Sequence, residues 1–299
     1  MASTSTPSHP ASSTGYAAVS TSPDVRLFYS VTPALPLNPA RPVVVLSNSL
    51  AATTDLWDAF VAEFSRSHTV VRYDARFHGQ SPLSSTPDYD YTAGHSIDDL
   101  TDDVIAILDE LRISSADAFI GLSIGGGVGV SLAARYPERF GAFVIVGTRS
   151  HASLPDDATR FTERTAVYRK QGAQAQAEQT VLRWFGADWI AANQDTAARV
   201  TASVARTPIE GILSSAAALT RLDLRDHAAT IGRRHRQGQP RNVLFVAGAN
   251  DAQQVRNESQ QLATASASPL TLVPDSGHIV NVQQPARFHD IVRAWLTKE

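Results

Sequence analysis

Gly121-Leu122-Ser123-Ile124-Gly125 lies between an apolar run and a stretch of helical character. A serine at such a strand-to-helix turn stands at the helix N-terminus, where unpaired amides and the helix dipole favour negative charge. The turn is sharp enough that the serine's neighbours must be small, as Gly121 and Gly125 are, and Gly126 and Gly127 let the helix approach a sheet closely. A serine hydroxyl becomes a good nucleophile only when a base removes its proton. Two later segments supply partners in the chain order this kind of turn requires, serine then acid then histidine. Ala247-Gly248-Ala249-Asn250-Asp251 follows one apolar run, and Asp275-Ser276-Gly277-His278 follows the next. Asp251 and His278 are thereby expected in neighbouring loops at the sheet edge that carries Ser123. His278 would shuttle the proton, and Asp251 would hold the imidazole tautomer and stabilise its cation.

Other residues compete for these roles. Asp275 precedes the histidine by three positions but is more simply a turn residue. The loop after Val146 reads Gly147-Thr148 and offers no carboxylate. Of nine histidines, His278 has both the order and the position, whereas His78 precedes the nucleophile. A tetrahedral intermediate also needs an oxyanion hole, usually two backbone amides in this arrangement. The expected donors are the Ile124 amide, directly after the nucleophile, and the Leu50 amide in Ser47-Asn48-Ser49-Leu50. In Arg72-Tyr73-Asp74-Ala75-Arg76 an Asp–Arg pair is expected to brace the site's edge by a bidentate contact.

The elements that must position these residues alternate along the chain. Val43–Leu46 and Thr69–Tyr73 read as strands buried on two faces, and Ala118–Leu122, Phe143–Val146, Val243–Val246 and Leu270–Val273 as further strands. Ile97, Leu100, Val104, Ile107, Leu108 and Leu111 mark one face of a helix that Ser96 and Asp99 would open as a capping box. Pro285 opens a closing helix with Phe288, Ile291, Val292, Trp295 and Leu296 on its buried side. Such alternation predicts an α/β fold with a mostly parallel sheet flanked by helices. Residues 24–149 and 239–299 would form this core, and the strand-free residues 150–238 an inserted helical cap. Residues 1–23, rich in Ser, Thr, Ala and Pro, are expected to be a disordered tail.

Composition narrows the chemistry. The chain of 299 residues has no cysteine, which excludes disulfides, thiolate metal sites and a cysteine nucleophile. Its net charge of −3 gives no footprint for nucleic acid. No apolar run approaches the roughly 20 residues of a membrane span. The N-terminus lacks the pattern of a signal or transit peptide, so a cytoplasmic location is the expectation. The implied partner is a small molecule, with no cofactor and no metal.

Taken together, these residues are similar to the α/β-hydrolase fold superfamily. Within it the chain resembles the 3-oxoadipate enol-lactonases, through Ser47-Asn48-Ser49-Leu50, Arg72–Arg76, Gly121–Gly126 and Gly277-His278-Ile279-Val280-Asn281-Val282. The likeness continues through Leu182-Arg183-Trp184-Phe185 and Arg206–Gly211. It implies hydrolysis of a small acidic enol lactone through an acyl-enzyme on Ser123. It also implies substrate contacts at Asn48, Arg183 and Trp184, with Arg183 as the carboxylate clamp. Two departures stand out, Ala51 and Phe77, each where the family carries glycine. Phenylalanine is a poor occupant of a left-handed backbone position, so the loop at Phe77 is expected to differ and its side chain to narrow the site. The alternatives are an esterase or lactonase for a neutral or bulkier substrate, a cofactor-free haloperoxidase-like activity, and a non-catalytic ligand-binding protein. Ser123 stands where haloalkane dehalogenation needs an aspartate, which argues against that chemistry.

Overall fold

The computed structural model describes residues 10–19, 22–153, 156–240 and 242–297. A hairpin of β1 (Ser13–Val19) and β2 (Ser22–Thr32) opens the chain. The six expected runs follow as β3 (Val43–Ser47), β4 (Thr69–Tyr73), β5 (Ala116–Leu122), β6 (Phe140–Val146), β7 (Val243–Gly248) and β8 (Leu270–Val273). One sheet contains all eight in the order β1-β2-β4-β3-β5-β6-β7-β8. The β1–β2 and β2–β4 pairs are antiparallel, and the remaining five pairs are parallel.

Period-two alternation sends the inner strands' side chains to two separate cores. Val45, Phe119, Phe143, Ile145 and Phe245 face one; Val44, Leu46, Ile120, Val144 and Val246 face the other. Both faces are covered, which is why these strands read as unbroken apolar runs. Helices α2 (Ile97–Glu110) and α3 (Ile124–Arg135) cover the first face. On the second, α1 (Asp58–Phe64) supplies Phe60 and Phe64. Ser96 and Asp99 close the expected capping box on α2.

The expectation of a disordered segment over residues 1–23 fails for Ser13–Val19 and for the start of β2; residues 1–9, 20 and 21 lie outside the described residues. Only Ala17 and Val19 of β1 are buried, so large apolar side chains do not announce the strand. It is held by a backbone ladder running from Ser13–Val31 to Ala18–Arg26.

Between β6 and β7 the described residues hold α4 (Asp156–Phe185, interrupted at Gly172), α5 (Ala187–Ala192), α6 (Gln194–Ala205), α7 (Ile209–Thr220) and α8 (Arg225–Arg236). No sheet strand interrupts them; the described residues show a single isolated bridge, His151 to Asp223. Helix α8 differs from its predecessors. Its Ala228 and Ile231 join the core around α3, and it packs on α3 and α9, so residues 150–238 are not one uniform layer. The chain ends with α9 (Gln253–Ala265), the short α10 (Val280–Gln283) and α11 (Pro285–Leu296), which buries Phe288 and Val292. Among the described residues no helix is long and apolar enough to cross a membrane.

From β3 the chain moves to β4 on one side, and later to β5 on the other. The crevice beyond the C-terminal ends of β3 and β5 is a topological switch point, where open α/β sheets bind ligands.

Candidate active site

Ser123 occupies that crevice between β5 and α3 with φ 58° and ψ −114°. A left-handed backbone at a non-glycine residue costs about 1–3 kcal/mol, and its surroundings hold it there. The Ser123 amide donates to the Val146 carbonyl at 2.7 Å, and its carbonyl accepts from the Gly127 amide at 3.0 Å. Side chains are excluded on either side of it. A Cβ on Gly121 would lie 2.0 Å from the Gly125 carbonyl oxygen, and one on Gly125 would lie 2.6 Å from Ser47 Oγ.

The loop after β3 is tied to this elbow. The Asn48 carbonyl accepts the Gly125 amide at 3.2 Å, and Asn48 Nδ2 donates to the Tyr73 carbonyl at 2.8 Å. Asn48 is buried and lies outside the cavity lining, so the structure gives it a bracing position in place of the expected substrate contact. Leu50, Ile124 and Ser123 do line the cavity. Ala51, next along, has φ 65°; its amide donates to His78 Nε2 at 3.2 Å and its carbonyl accepts from Thr207 Oγ1 at 2.9 Å.

Asp251 and His278 come together from the loops after β7 and β8. His278 Nδ1 donates to Asp251 Oδ2 at 2.8 Å, leaving Nε2 as the basic nitrogen. The other carboxylate oxygen of Asp251 accepts the Ala252 amide at 2.7 Å. The helical insertion fixes the histidine's backbone, because the His278 amide donates to the Trp184 carbonyl at 3.0 Å. Gln283 links the same loops by accepting the Gly277 amide at 2.8 Å and donating to the Phe185 carbonyl at 3.2 Å. Asp275, the rival acid, is exposed at a turn with φ 54°.

Ser123, Asp251, His278, Leu50, Ile124, Arg183 and Trp184 all line one cavity of about 250 Å³. Sequence reasoning missed three further arginines there: Arg149, Arg160 and Arg164. Arg149 is engaged by Asp157 at 2.8 Å and Glu258 at 3.4 Å, and Arg160 lies 3.6 Å from Asp157. Arg164 sits over the Phe161 ring at 5.1 Å, and Arg183 donates to Thr180 Oγ1 at 2.8 Å. Arg183 is exposed along part of its length. Desolvation around its guanidinium, reinforced by the charge of Arg164, nonetheless lowers its pKa to about 10. Burial lowers Arg164 as well. Arg160 and Arg164 stand four apart on α4, a helical-face spacing readable in the sequence.

The alpha/beta hydrolase fold model matches residues 42–285 of this chain. The protein belongs to the alpha/beta hydrolase family. Among curated relatives, 3-oxoadipate enol-lactonase 2 of Acinetobacter baylyi is 32% identical over 254 residues, covering 85% of this chain and 88% of its own length. A Pseudomonas syringae pv. syringae relative named for carbamate hydrolysis is 29% identical, covering 86% of this chain and 95% of its own. The crystal structure of the enol-lactonase from Burkholderia xenovorans LB400 superposes with a TM-score of 0.79 at 29% identity, over 95% of this chain and 100% of that one.

Two expectations about the loop after β4 need correction in this hydrolase. Arg76 does form a bidentate pair, but with Asp103 of α2, both contacts at 2.7 Å, and not with Asp74. Asp74 instead accepts the amides of Thr54 at 2.7 Å and Gln80 at 2.8 Å. Phe77 takes the left-handed conformation that glycine would, with φ 63°. It does not narrow the site. Its side chain is buried edge-on to Tyr89 and Tyr91, with ring centroids 5.4 and 5.0 Å away, and lies outside the cavity lining.

Proposed function

We propose that this alpha/beta hydrolase opens a small acidic lactone by cleaving its carboxylic ester bond through an acyl-enzyme. The observation that carries the reading is the 2.8 Å contact of Asp251 with His278 in a cavity that Ser123 also lines. His278 Nε2 takes the Ser123 proton as Oγ bonds to the ring carbonyl carbon, and the Leu50 and Ile124 amides hold the resulting oxyanion. Collapse breaks the ring C–O bond. In an enol lactone the departing oxygen leaves as an enolate, which takes on carbon the proton held by His278, becomes a ketone and leaves His278 neutral again. Water, deprotonated by His278, then cleaves the acyl-Ser123 ester and releases a carboxylate.

Helices α4 to α7 serve as the cap over this chemistry. Two of the four cavity arginines, Arg164 and Arg183, are not matched by a carboxylate partner in the ion pairs described above, which supports an anionic substrate. The names of two of the three relatives above, the Acinetobacter baylyi and Burkholderia xenovorans enol-lactonases, support the enol-lactone class in particular. The test is turnover of 3-oxoadipate enol-lactone and of nitrophenyl acetate by the wild type and by Ser123→Ala. Turnover of the lactone that disappears in Ser123→Ala is expected. Lactone turnover that survives the substitution would overturn the mechanism, and turnover of the neutral ester alone would overturn the substrate class.

A further inference from the structure

His78 was set aside above as a rival base, and it does not line the cavity. Its side chain is nevertheless fully engaged. Nδ1 lies 2.8 Å from the Arg76 carbonyl oxygen, which can only accept, so Nδ1 carries the hydrogen. Nε2 of the neutral ring is then an acceptor, and the Ala51 amide donates to it at 3.2 Å. Burial lowers the His78 pKa to about 4, which keeps that lone pair available at neutral pH.

The ring cannot easily turn. Arg76, whose carbonyl anchors it, is itself locked by Asp103 in a buried pair. From the other side α7 presses on the same turn: a Cβ on Gly211 would lie 2.3 Å from the Phe77 carbonyl oxygen and 3.1 Å from His78 Nδ1. The peptide that His78 grips needs holding, because Ala51 sits at φ 65°, a conformation costing an alanine roughly 1–2 kcal/mol. Leu50 immediately precedes it. A donor that stabilises an oxyanion works only when its direction is set before the charge develops.

We propose that His78 is a positioning residue: by accepting the Ala51 amide it fixes the Ser49–Leu50–Ala51 turn and so aims the Leu50 amide at the developing oxyanion. This rests on the reading of Leu50 as an oxyanion donor. Its signature is a loss in the chemical step with substrate binding spared.

The experiment compares His78→Leu, which removes the acceptor at similar volume, with His78→Gln, which restores one. Each is assayed on nitrophenyl acetate and titrated with an aryl trifluoromethyl ketone, which forms an oxyanion on an active-site serine. Misaiming one donor is expected to lower kcat about 30- to 100-fold in His78→Leu. KM should stay within about threefold, and ketone affinity should fall in step with kcat. His78→Gln should recover most of both. An unchanged kcat in His78→Leu, an equal loss in both variants, or a failure of both to fold would each overturn the proposal. Ser123→Ala assayed alongside separates the cases. If it abolishes turnover while His78→Leu does not lower kcat, only the role of His78 falls.

Discussion

The side chains of His278 and Asp251 meet at 2.8 Å although they stand 27 residues apart in the chain. Gly147, with φ 55°, lies under the contact, and a Cβ there would sit 3.5 Å from the carboxylate and 3.6 Å from the ring. Asp251→Asn keeps the shape but presents an amide that favours the wrong imidazole tautomer. It is expected to lower kcat on nitrophenyl acetate by about 10³- to 10⁴-fold with little change in KM. Steady-state kinetics beside a thermal melt check this, and a kcat loss under tenfold would contradict it.

Arg164 and Arg183 should act on charge and not on chemistry. A charge-assisted hydrogen bond contributes about 1.5–3 kcal/mol, so Arg183→Ala and Arg164→Ala are each expected to raise KM for an acidic lactone roughly tenfold or more. KM for a neutral ester should stay where it was. Equal losses on both substrates would remove the clamp from the account.

Phe77 sets two effects against each other. Phe77→Gly would relieve a left-handed phenylalanine, a gain of about 1–2 kcal/mol. It would also remove a fully buried ring packed on Tyr89 and Tyr91, a loss of about 3–5 kcal/mol. Packing is the larger, so the variant should unfold at lower urea concentration. A higher midpoint would show that the backbone strain dominates.

Stability should fall on acidification below neutrality. Burial lowers His78 to about 4 and His95 to about 3, the latter also through the charge of Arg76. Between those values and the ordinary ~6.5, the unfolded chain binds protons that the folded chain refuses, so unfolding free energy decreases as pH drops. From pH 7 to pH 5 the two histidines together should remove about 2–4 kcal/mol. Urea unfolding at pH 7, 6 and 5 measures it, and a flat profile would contradict the buried neutral state.

The parts of the site that were legible in sequence are those whose chemistry is local. An elbow needs small residues within two positions of its serine, and strands covered on both faces need apolar side chains on both, so Gly121–Gly125 and the inner strands β3 to β7 declare themselves. Strand β1 does not, because only Ala17 and Val19 of it are buried, whereas β2 carries a period-two signal in Val25, Leu27, Tyr29 and Val31 that sequence reasoning missed. Arg76 announced a carboxylate partner but not which one, since Asp103 is 27 residues away on a different element. Phe77 misled for a related reason: residue type disfavours φ 63°, and only the surrounding tyrosines show what offsets it. The block that resembles the enol-lactonases puts Asn48 among the expected substrate contacts, yet its amide reaches the Tyr73 carbonyl.

The Thr207 hydroxyl on Ala51, the Trp184 carbonyl on the His278 amide and the Phe185 carbonyl on Gln283 all cross from the inserted segment to the loops after β3 and β8 and to α10. The insertion is therefore not an exchangeable module. Grafting the corresponding helices from a homologue would redraw the backbone around Ala51 and His278 along with the shape of the pocket. A chimera meant to reshape the pocket alone therefore has to keep these three crossings intact.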